Sequence, residues 1–258
     1  MLHYEKSEQP AADEDWIVFI HGAGGSIQTW KYQLENMHDV RWLAMDLRDH
    51  GQSKNILPSY QSYNFDIISK DIKEVLDFEG IKKASFITLS FGSVLLQAFS
   101  LRYPSVVERA VIAGGIFRGN ALIKSFVHTA RFLNLFLSYP TMYRTFSFLL
   151  MPKKRNQLAR RIYQMQARKI NQEEYLKWID LYGEFFRLLK TFFHQEVPFP
   201  ALVIMGGDDY IFLNAARSFS ARRTNVSLAV LPKVGHICNI ESPKAFNDLT
   251  QKFLFGSN

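Results

Sequence analysis

Short, almost continuous runs of apolar residues recur along the chain, and each run is closed by glycine or by polar residues. This pattern is typical of strands that are buried on both faces, whereas strands with one wet face alternate apolar and polar positions. Stretches with apolar residues at helical spacing lie between the runs. Alternating strands and helices predict an α/β fold, with a mostly parallel central sheet and helices on both faces. The predicted strands are residues 16–20, 41–45, 84–88, 110–113, 201–205 and 226–231.

The alternation stops between residues 118 and 196, where helical patterns occur without a convincing strand. We interpret 118–196 as a helical cap inserted into a core domain that consists of 1–117 and 197–258. Apolar residues in this segment exceed what one narrow helical stripe requires, so we expect some of them to line a pocket. They include Phe126, Phe132, Leu133, Phe136, Phe146, Phe148, Leu149 and Leu150.

Positive charge is concentrated in the predicted cap. The chain has a formal net charge of +7, and residues 118–196 contain 14 Lys and Arg against 5 Asp and Glu. No base-reading or zinc-finger pattern accompanies this charge, so it predicts attraction for anions and no nucleic-acid partner.

One predicted cap helix carries apolar and basic residues that we assign to different faces. We expect Leu158, Ile162 and Met165 to face the core. The opposite face would then be wet and basic, available to a phosphate or a carboxylate. An ordinary solvated surface is an equally good interpretation. The basic residues are Arg160, Arg161, Arg168 and Lys169.

Composition narrows the protein class further. The 258 residues are 47% hydrophobic and 21% charged, which excludes a disordered or collagen-like chain and suits one large domain with an insertion. Cys238 is the only cysteine, so neither an internal disulfide nor a cysteine-rich zinc site is expected. The first fifteen residues lack a secretory pattern, and no run approaches the roughly 18 apolar residues of a transmembrane segment. We therefore expect a cytoplasmic protein.

A glycine-rich stretch, HGAGGS, directly follows the first predicted strand at residues 21–26. One interpretation is a dinucleotide-binding turn, with Asp46 holding a ribose; that motif requires a third glycine where this chain has Ile27. Another is the loop that supplies half of the oxyanion hole in serine hydrolases. A tight turn without any ligand is the third.

A second candidate, Ser90, lies in the sequence TLSFG between a predicted strand and a helical stretch. A nucleophilic serine needs such a sharp turn, because the turn exposes its Oγ above the sheet and directs the next amide at the developing oxyanion. Small residues two before and two after the serine keep the turn free of clashes. Gly92 satisfies this rule and Thr88 does not; a helix N-cap serine is the alternative interpretation.

A serine hydroxyl needs a base, and the base needs an orienting carboxylate. Asp208 and Asp209 follow the strand at 201–205, and His236 follows the next strand. Each has a simpler interpretation, as a turn residue or as a hydrogen-bonded histidine. The order Ser, Asp, His, with each residue at the carboxyl end of a predicted strand, favours a shared site, because ligands of parallel sheets bind there.

Five motifs in this order resemble the α/β-hydrolase family over nearly the whole chain: HGAGGS, DLRDHGQS from Asp46, TLSFG, MGGDD and VGHICNIESP. The resemblance implies Ser90 as the nucleophile, Asp209 rather than Asp208 as the acid, and His236 as the base. It also implies that the amides of Ala23 and Phe91 form the oxyanion hole.

The sequence departs from the family pattern at two positions. Thr88 replaces the usual first glycine of the serine turn, and Asp49 replaces a glycine that is common in the second motif. We interpret His50 as a structural loop histidine and Cys238 as a small buried side chain.

The resemblance implies hydrolysis of a carboxylic ester or thioester through an acyl-enzyme intermediate, without a metal or an organic cofactor. The same fold and residues also suit a lyase or C–C hydrolase resembling the menaquinone-pathway enzymes, or a hydrolase-like ligand-binding regulatory protein. The basic cap is similar to that of pimeloyl-carrier-protein methyl esterases, which implies an acyl group on an anionic carrier as one possible substrate.

Overall fold

We describe the fold from a computed structural model, which describes residues 1–8, 15–55, 63–119, 123–125, 129, 138–169 and 172–256. The predicted pocket residues Phe126, Phe132, Leu133 and Phe136 lie outside the described residues.

The described strands form one sheet in the order β1-β3-β2-β4-β5-β6-β7. All neighbouring strands are parallel except β1, which pairs antiparallel with β3. The prediction of a mostly parallel α/β sheet is therefore confirmed. The strands are β1 (Tyr4–Lys6), β2 (Trp16–Ile20), β3 (Arg41–Met45), β4 (Ala84–Leu89), β5 (Val107–Ala113), β6 (Ala201–Gly206) and β7 (Val226–Leu231).

Strand β1 is the one described strand that the apolar pattern did not predict. It has three residues, none of them fully buried, and its sequence YEK contains no apolar run. Its backbone pairs with β3 at the sheet edge, where side chains need not be apolar. An edge strand of this kind leaves no mark in the hydrophobic pattern.

Helices cover both faces of the sheet. Helices α2 and α3 pack against each other, and α1 packs against α9 and α10. Asn64 caps α2, since its side chain accepts a hydrogen bond of 2.8 Å from the amide of Ile67. These helices are α1 (Lys31–Leu34), α2 (Phe65–Phe78), α3 (Phe91–Arg102), α8 (Leu213–Ser220), α9 (Cys238–Glu241) and α10 (Pro243–Phe255).

Between residues 138 and 196, where the structure describes nearly the whole chain, four helices lie between β5 and β6, and we call them the insertion helices. Helix α4 packs against α5, α6 packs against α7, and α7 reaches α3 of the sheet layer. The insertion helices are α4 (Tyr139–Leu150), α5 (Gln157–Ala167), α6 (Gln172–Asp180) and α7 (Tyr182–His194).

Candidate active site

The turn between β4 and α3 places Ser90 in an unusual backbone conformation. Its φ is 52° and its ψ is −117°, a region that costs energy for a residue with a side chain. The amide of Ser90 donates to the carbonyl of Ala113 over 2.8 Å, which holds the turn against β5. A Cβ atom at Gly92 would lie 2.6 Å from the carbonyl oxygen of Ile20, so only glycine permits this close approach.

Ser90, His236 and Asp209 form one chain of hydrogen bonds. The Oγ of Ser90 lies 2.8 Å from Nε2 of His236, and Nδ1 of His236 lies 2.7 Å from Oδ2 of Asp209. Since a carboxylate only accepts, Nδ1 carries the proton and Nε2 accepts from the serine hydroxyl. The amide of Phe212 donates to the other oxygen of Asp209 over 3.0 Å. The side chains of Asp209 and His236 are each 1% exposed, so water competes little for these bonds.

Asp208, the alternative acid, lies away from this chain. Its two oxygens each lie 2.6 Å from a cation, Lys153 and Arg155, in the segment between α4 and α5. The hydrogen bond from Arg155 is the largest of the effects that lower the pKa of Asp208. Of the two adjacent aspartates, the structure therefore brings Asp209 to His236 and Asp208 to the insertion.

The glycine-rich loop lies directly beside the serine turn. A Cβ atom at Gly22 would be 3.3 Å from Cβ of Ser90. Within the part of the chain that the structure describes, no protein acceptor is bonded to the amide of Ala23 or to that of Phe91. Ala23 and Phe91 both line the cavity at Ser90.

Two buried histidines hold this loop. His50 accepts a hydrogen bond of 3.0 Å from the amide of Gly24, and its Nδ1 donates to the carbonyl of Arg48. His21 accepts from the amide of Leu47 and donates to the carbonyl of Gly22. Burial lowers the pKa of His21 to about 4 and that of His50 to about 3, so both rings are neutral at pH 7.

Asp46 also stabilises the glycine-rich loop by hydrogen bonds. Its two carboxylate oxygens accept from the amides of Ile27 and Gln52, each over 2.8 Å. Asp46 is only 3% exposed and is held against the loop by these bonds, so a ribose cannot reach it and the dinucleotide interpretation of the glycine loop is wrong. Asp49 has a φ of 60°, which explains why a glycine is common there; aspartate tolerates this conformation better than most residues.

Backbone contact joins the loops of Asp209 and His236. The amide of Asp208 donates to the carbonyl of Val234 over 2.8 Å. A Cβ atom at Gly206 would lie 1.9 Å from the carbonyl oxygen of Gly235, so the two loops touch at a position that admits only glycine.

Glu241 is a supporting residue that the sequence analysis missed. Its carboxylate accepts from the amide of Gly235, next to His236, over 2.9 Å and from the side chain of Asn156. Burial raises the pKa of Glu241. Its position in the motif VGHICNIESP, five residues after the histidine, was the only available signal.

An apolar cavity opens at Ser90 and offers about 50 Å³ to the centres of water molecules. A second, smaller space of about 30 Å³ lies on the other side, against the glycine loop. Ser90, His236, Ala23 and Tyr163 border both spaces, so the hydroxyl of Ser90 lies where they meet. The other residues of the apolar cavity are Phe91, Ile116, Ile123, Phe146, Leu149, Leu150, Phe185, Ile211 and Phe212.

The predicted faces of α5 are wrong in part. Ile162 packs against the core, and Arg161, Arg168 and Lys169 are exposed, as expected. Leu158, Met165 and Arg160 do not follow the prediction. Leu158 is 62% exposed and Met165 is 58% exposed, whereas Arg160 is only 9% exposed. The guanidinium of Arg160 donates to the carbonyl of Met151 and lies 4.2 Å from the ring centre of Phe148. An arginine that satisfies a carbonyl and covers an aromatic ring can take a buried position, and the apolar spacing does not reveal this.

Cys238 is fully buried, and burial raises the pKa of its thiol to about 12, so it remains protonated. Among the residues placed by the structure, no three His, Cys, Asp or Glu side chains come together as metal ligands. The described helices include none with the length and apolar character of a membrane span.

Comparisons with known proteins agree with the family that the motifs indicate. The chain is 24% identical over 261 residues to the putative carbamate hydrolase RutD of Caulobacter sp. (strain K31), covering 99% of this chain and 96% of that protein. A 99-residue stretch, 37% of this chain, is 30% identical to ethanol acetyltransferase 1 of Cyberlindnera jadinii but spans only 28% of that relative.

The enol-lactonase from Burkholderia xenovorans LB400 has a similar solved structure, with a TM-score of 0.77 and 22% identity over 98% of this chain and 96% of that one. A family model described as "Alpha/beta hydrolase family" matches residues 17–249. The chain belongs to the alpha/beta hydrolase family.

Proposed function

We propose that this protein is a serine hydrolase that cleaves a carboxylic ester or thioester through an acyl-enzyme intermediate. One observation carries the proposal: the Oγ of Ser90 lies 2.8 Å from His236, at the junction of an apolar cavity and a glycine loop. This arrangement combines an activated nucleophile with a place for an acyl group.

In the proposed mechanism, Oγ of Ser90 attacks the acyl carbonyl carbon as Nε2 of His236 takes the hydroxyl proton. The negative oxygen of the tetrahedral intermediate is bound by the amides of Ala23 and Phe91. His236 then gives the proton to the departing alcohol or thiol. A water molecule attacks the acyl group by the same steps, which releases the acid and restores Ser90.

Asp209 has a supporting role in this mechanism. Its hydrogen bond to Nδ1 keeps the imidazole in the tautomer whose Nε2 can accept the serine proton, and its charge stabilises the imidazolium that forms. Because both residues are almost fully buried, the bond is protected from water and from salt.

The described lining of the apolar cavity favours a neutral acyl group. Apart from His236, that lining contains no ionisable side chain except the phenol of Tyr163. A dicarboxylate, such as a C–C hydrolase would cleave, finds no cation there. A water molecule needs roughly 10–15 Å³ of such space, so about 50 Å³ suits an acyl chain of a few carbon atoms.

Labelling with a fluorophosphonate tests the nucleophile. We expect wild-type protein to gain one covalent adduct, located on the peptide that contains Ser90 by mass spectrometry, and the Ser90→Ala variant to gain none. A folded wild-type protein that takes no label would favour a binding or regulatory protein without an activated serine.

A substrate panel tests the bond and the chain length. Acetyl, butyryl, octanoyl and lauroyl esters, together with the matching thioesters, should give the highest kcat/KM at the short end. Activity only on a C–C substrate, or only on the long chains, would contradict the proposed substrate.

A further inference from the structure

A groove outside the catalytic cavity lies between α4 and α5. It has about 160 Å³ of space, and polar side chains form most of its wall. Its residues are Pro140, Thr141, Tyr143, Arg144, Gln164 and Arg168.

Two exposed arginines face this groove without an acidic partner. In the described part of the chain, no carboxylate lies within ion-pair distance of Arg144 or Arg168. Some other cations between β5 and β6 do have acidic partners: Lys153 and Arg155 pair with Asp208, and Lys177 pairs with Glu173. The two groove arginines therefore keep their full charge for an external group.

The sequence around the groove explains why no acidic side chain pairs with the two arginines. Between Glu108 and Glu173 the chain contains twelve Lys and Arg and no Asp or Glu. Neither α4 nor α5 contains an acid, so no carboxylate on the same two helices can fold back onto the arginines. A groove of this kind attracts anions and holds few competing charges.

The geometry of the arginine side chains also determines which anions can bind in the groove. The guanidinium is planar and presents parallel N–H donors that match the oxygens of a phosphate or a carboxylate. Arg144 on α4 and Arg168, directly after the end of α5, can both contact one such group. We propose that the groove between α4 and α5 binds a phosphate or carboxylate group through Arg144 and Arg168.

A shared wall connects this site to the proposed catalytic centre. Tyr143 lines the groove, its hydroxyl donates to the carbonyl of Ala23 in the glycine loop, and its ring stacks on Tyr163 at 4.6 Å. Tyr163 in turn borders the cavity at Ser90. Tyr143 therefore lies between an anion in the groove and the glycine-rich loop.

Isothermal titration of the Ser90→Ala variant with inorganic pyrophosphate at low ionic strength tests the site without any turnover. We expect saturable binding of one pyrophosphate per chain. Replacing either Arg144→Gln or Arg168→Gln should weaken this binding about tenfold, the usual effect of losing a charge-assisted hydrogen bond.

Arg161→Gln is the matched control. Arg161 is exposed on α5, two turns before Arg168, and does not line the groove, so its loss changes the net charge equally. Binding should survive in this variant. Equal weakening in all three variants, or no saturable binding, would overturn the proposal and leave only general attraction to a basic surface.

A kinetic comparison identifies the source of the anion, and this part rests on the proposed function. A neutral ester is compared with the same ester carrying a terminal carboxylate, each with and without pyrophosphate. Competition against the charged ester alone assigns the groove to the substrate; equal effects on both esters assign it to a free anion. If no ester is cleaved, the proposed function fails, while the titration result stands.

Discussion

The carboxyl edge of the sheet and the insertion helices are built from different kinds of contact. At the edge, backbone hydrogen bonds and glycines without room for a Cβ hold the loops of Ser90, Asp209 and His236. The segment that contains the insertion helices reaches the edge through side chains. Tyr143 of α4 donates to Ala23 of the glycine-rich loop, and Arg155, between α4 and α5, donates to Asp208. Side-chain contacts can be exchanged without moving the backbone. The comparison therefore predicts severe effects at the edge and mild ones where the insertion meets it.

The largest effects are expected at Ser90 and His236. Replacing either residue with alanine should lower kcat/KM by roughly 10⁵- to 10⁶-fold, since each removes a member of one proton-transfer chain. Stopped-flow or spectrophotometric ester hydrolysis measures this loss, and circular dichroism checks that the variants are folded. A folded Ser90→Ala variant with near-normal activity would refute the nucleophile assignment.

The two adjacent aspartates should differ strongly in their effect on activity, although they share one loop. Asp209→Asn should lower kcat by about 10⁴-fold, because the imidazole then loses its preferred tautomer. Asp208→Asn is the matched control, and it should change kcat by less than about fivefold, since Asp208 faces the insertion. The reverse ranking would place the acid at Asp208.

The buried histidines at the carboxyl edge should make the folded protein less stable at acidic pH. Burial lowers the pKa of His50 from 6.5 to about 3, so between these values the unfolded state binds a proton that the folded state does not. Stability therefore falls as the pH drops below 6.5, by about 2 kcal/mol at pH 5 for this one residue.

Urea unfolding at pH 7 and pH 5 measures this loss. His50→Gln should lose less stability on acidification than the wild type, because glutamine keeps an acceptor for Gly24 and does not titrate. His38→Gln, at an exposed position, should retain the wild-type profile. An unchanged profile in His50→Gln would show that the ring does not carry the pH dependence.

The smallest effects are expected where the insertion meets the edge. Lys153→Met combined with Arg155→Met removes both partners of Asp208; such half-exposed ion pairs contribute about 0–1 kcal/mol. Thermal unfolding should show a small decrease, and kcat/KM should stay within about fivefold. A hundredfold loss would contradict this expectation and make the insertion part of the catalytic framework.

The sequence patterns predicted which residues meet at the carboxyl edge better than they predicted which residues are buried in the insertion helices. The reason is physical. Strands buried on both faces need continuous apolar runs, and the residues that follow them necessarily meet at one edge. These patterns brought Ser90, His236 and one of the two adjacent aspartates to one place. The family resemblance selected Asp209, and the structure joins Ser90, His236 and Asp209 by hydrogen bonds. Their catalytic roles remain predictions.

The burial of residues in helix α5 is not constrained in this way by the apolar pattern. Its buried face depends on what lies against it, and Arg160 finds a carbonyl and an aromatic ring that no spacing rule contains. The groove between α4 and α5 was equally hidden, because Arg144 and Arg168 are 24 positions apart and meet only through helix packing. Glu241 lay inside a recognised motif, yet its partner Asn156 comes from a distant segment.

The contact at Gly206 has a consequence for directed evolution of new substrate preferences. Any side chain there would collide with the carbonyl of Gly235 and separate the loops of Asp209 and His236. A mutant library should therefore keep Gly206, Gly92 and Gly22 invariant, since changes there would fill the library with inactive clones. Leu149 is a better position to vary, because it lines the cavity from helix α4.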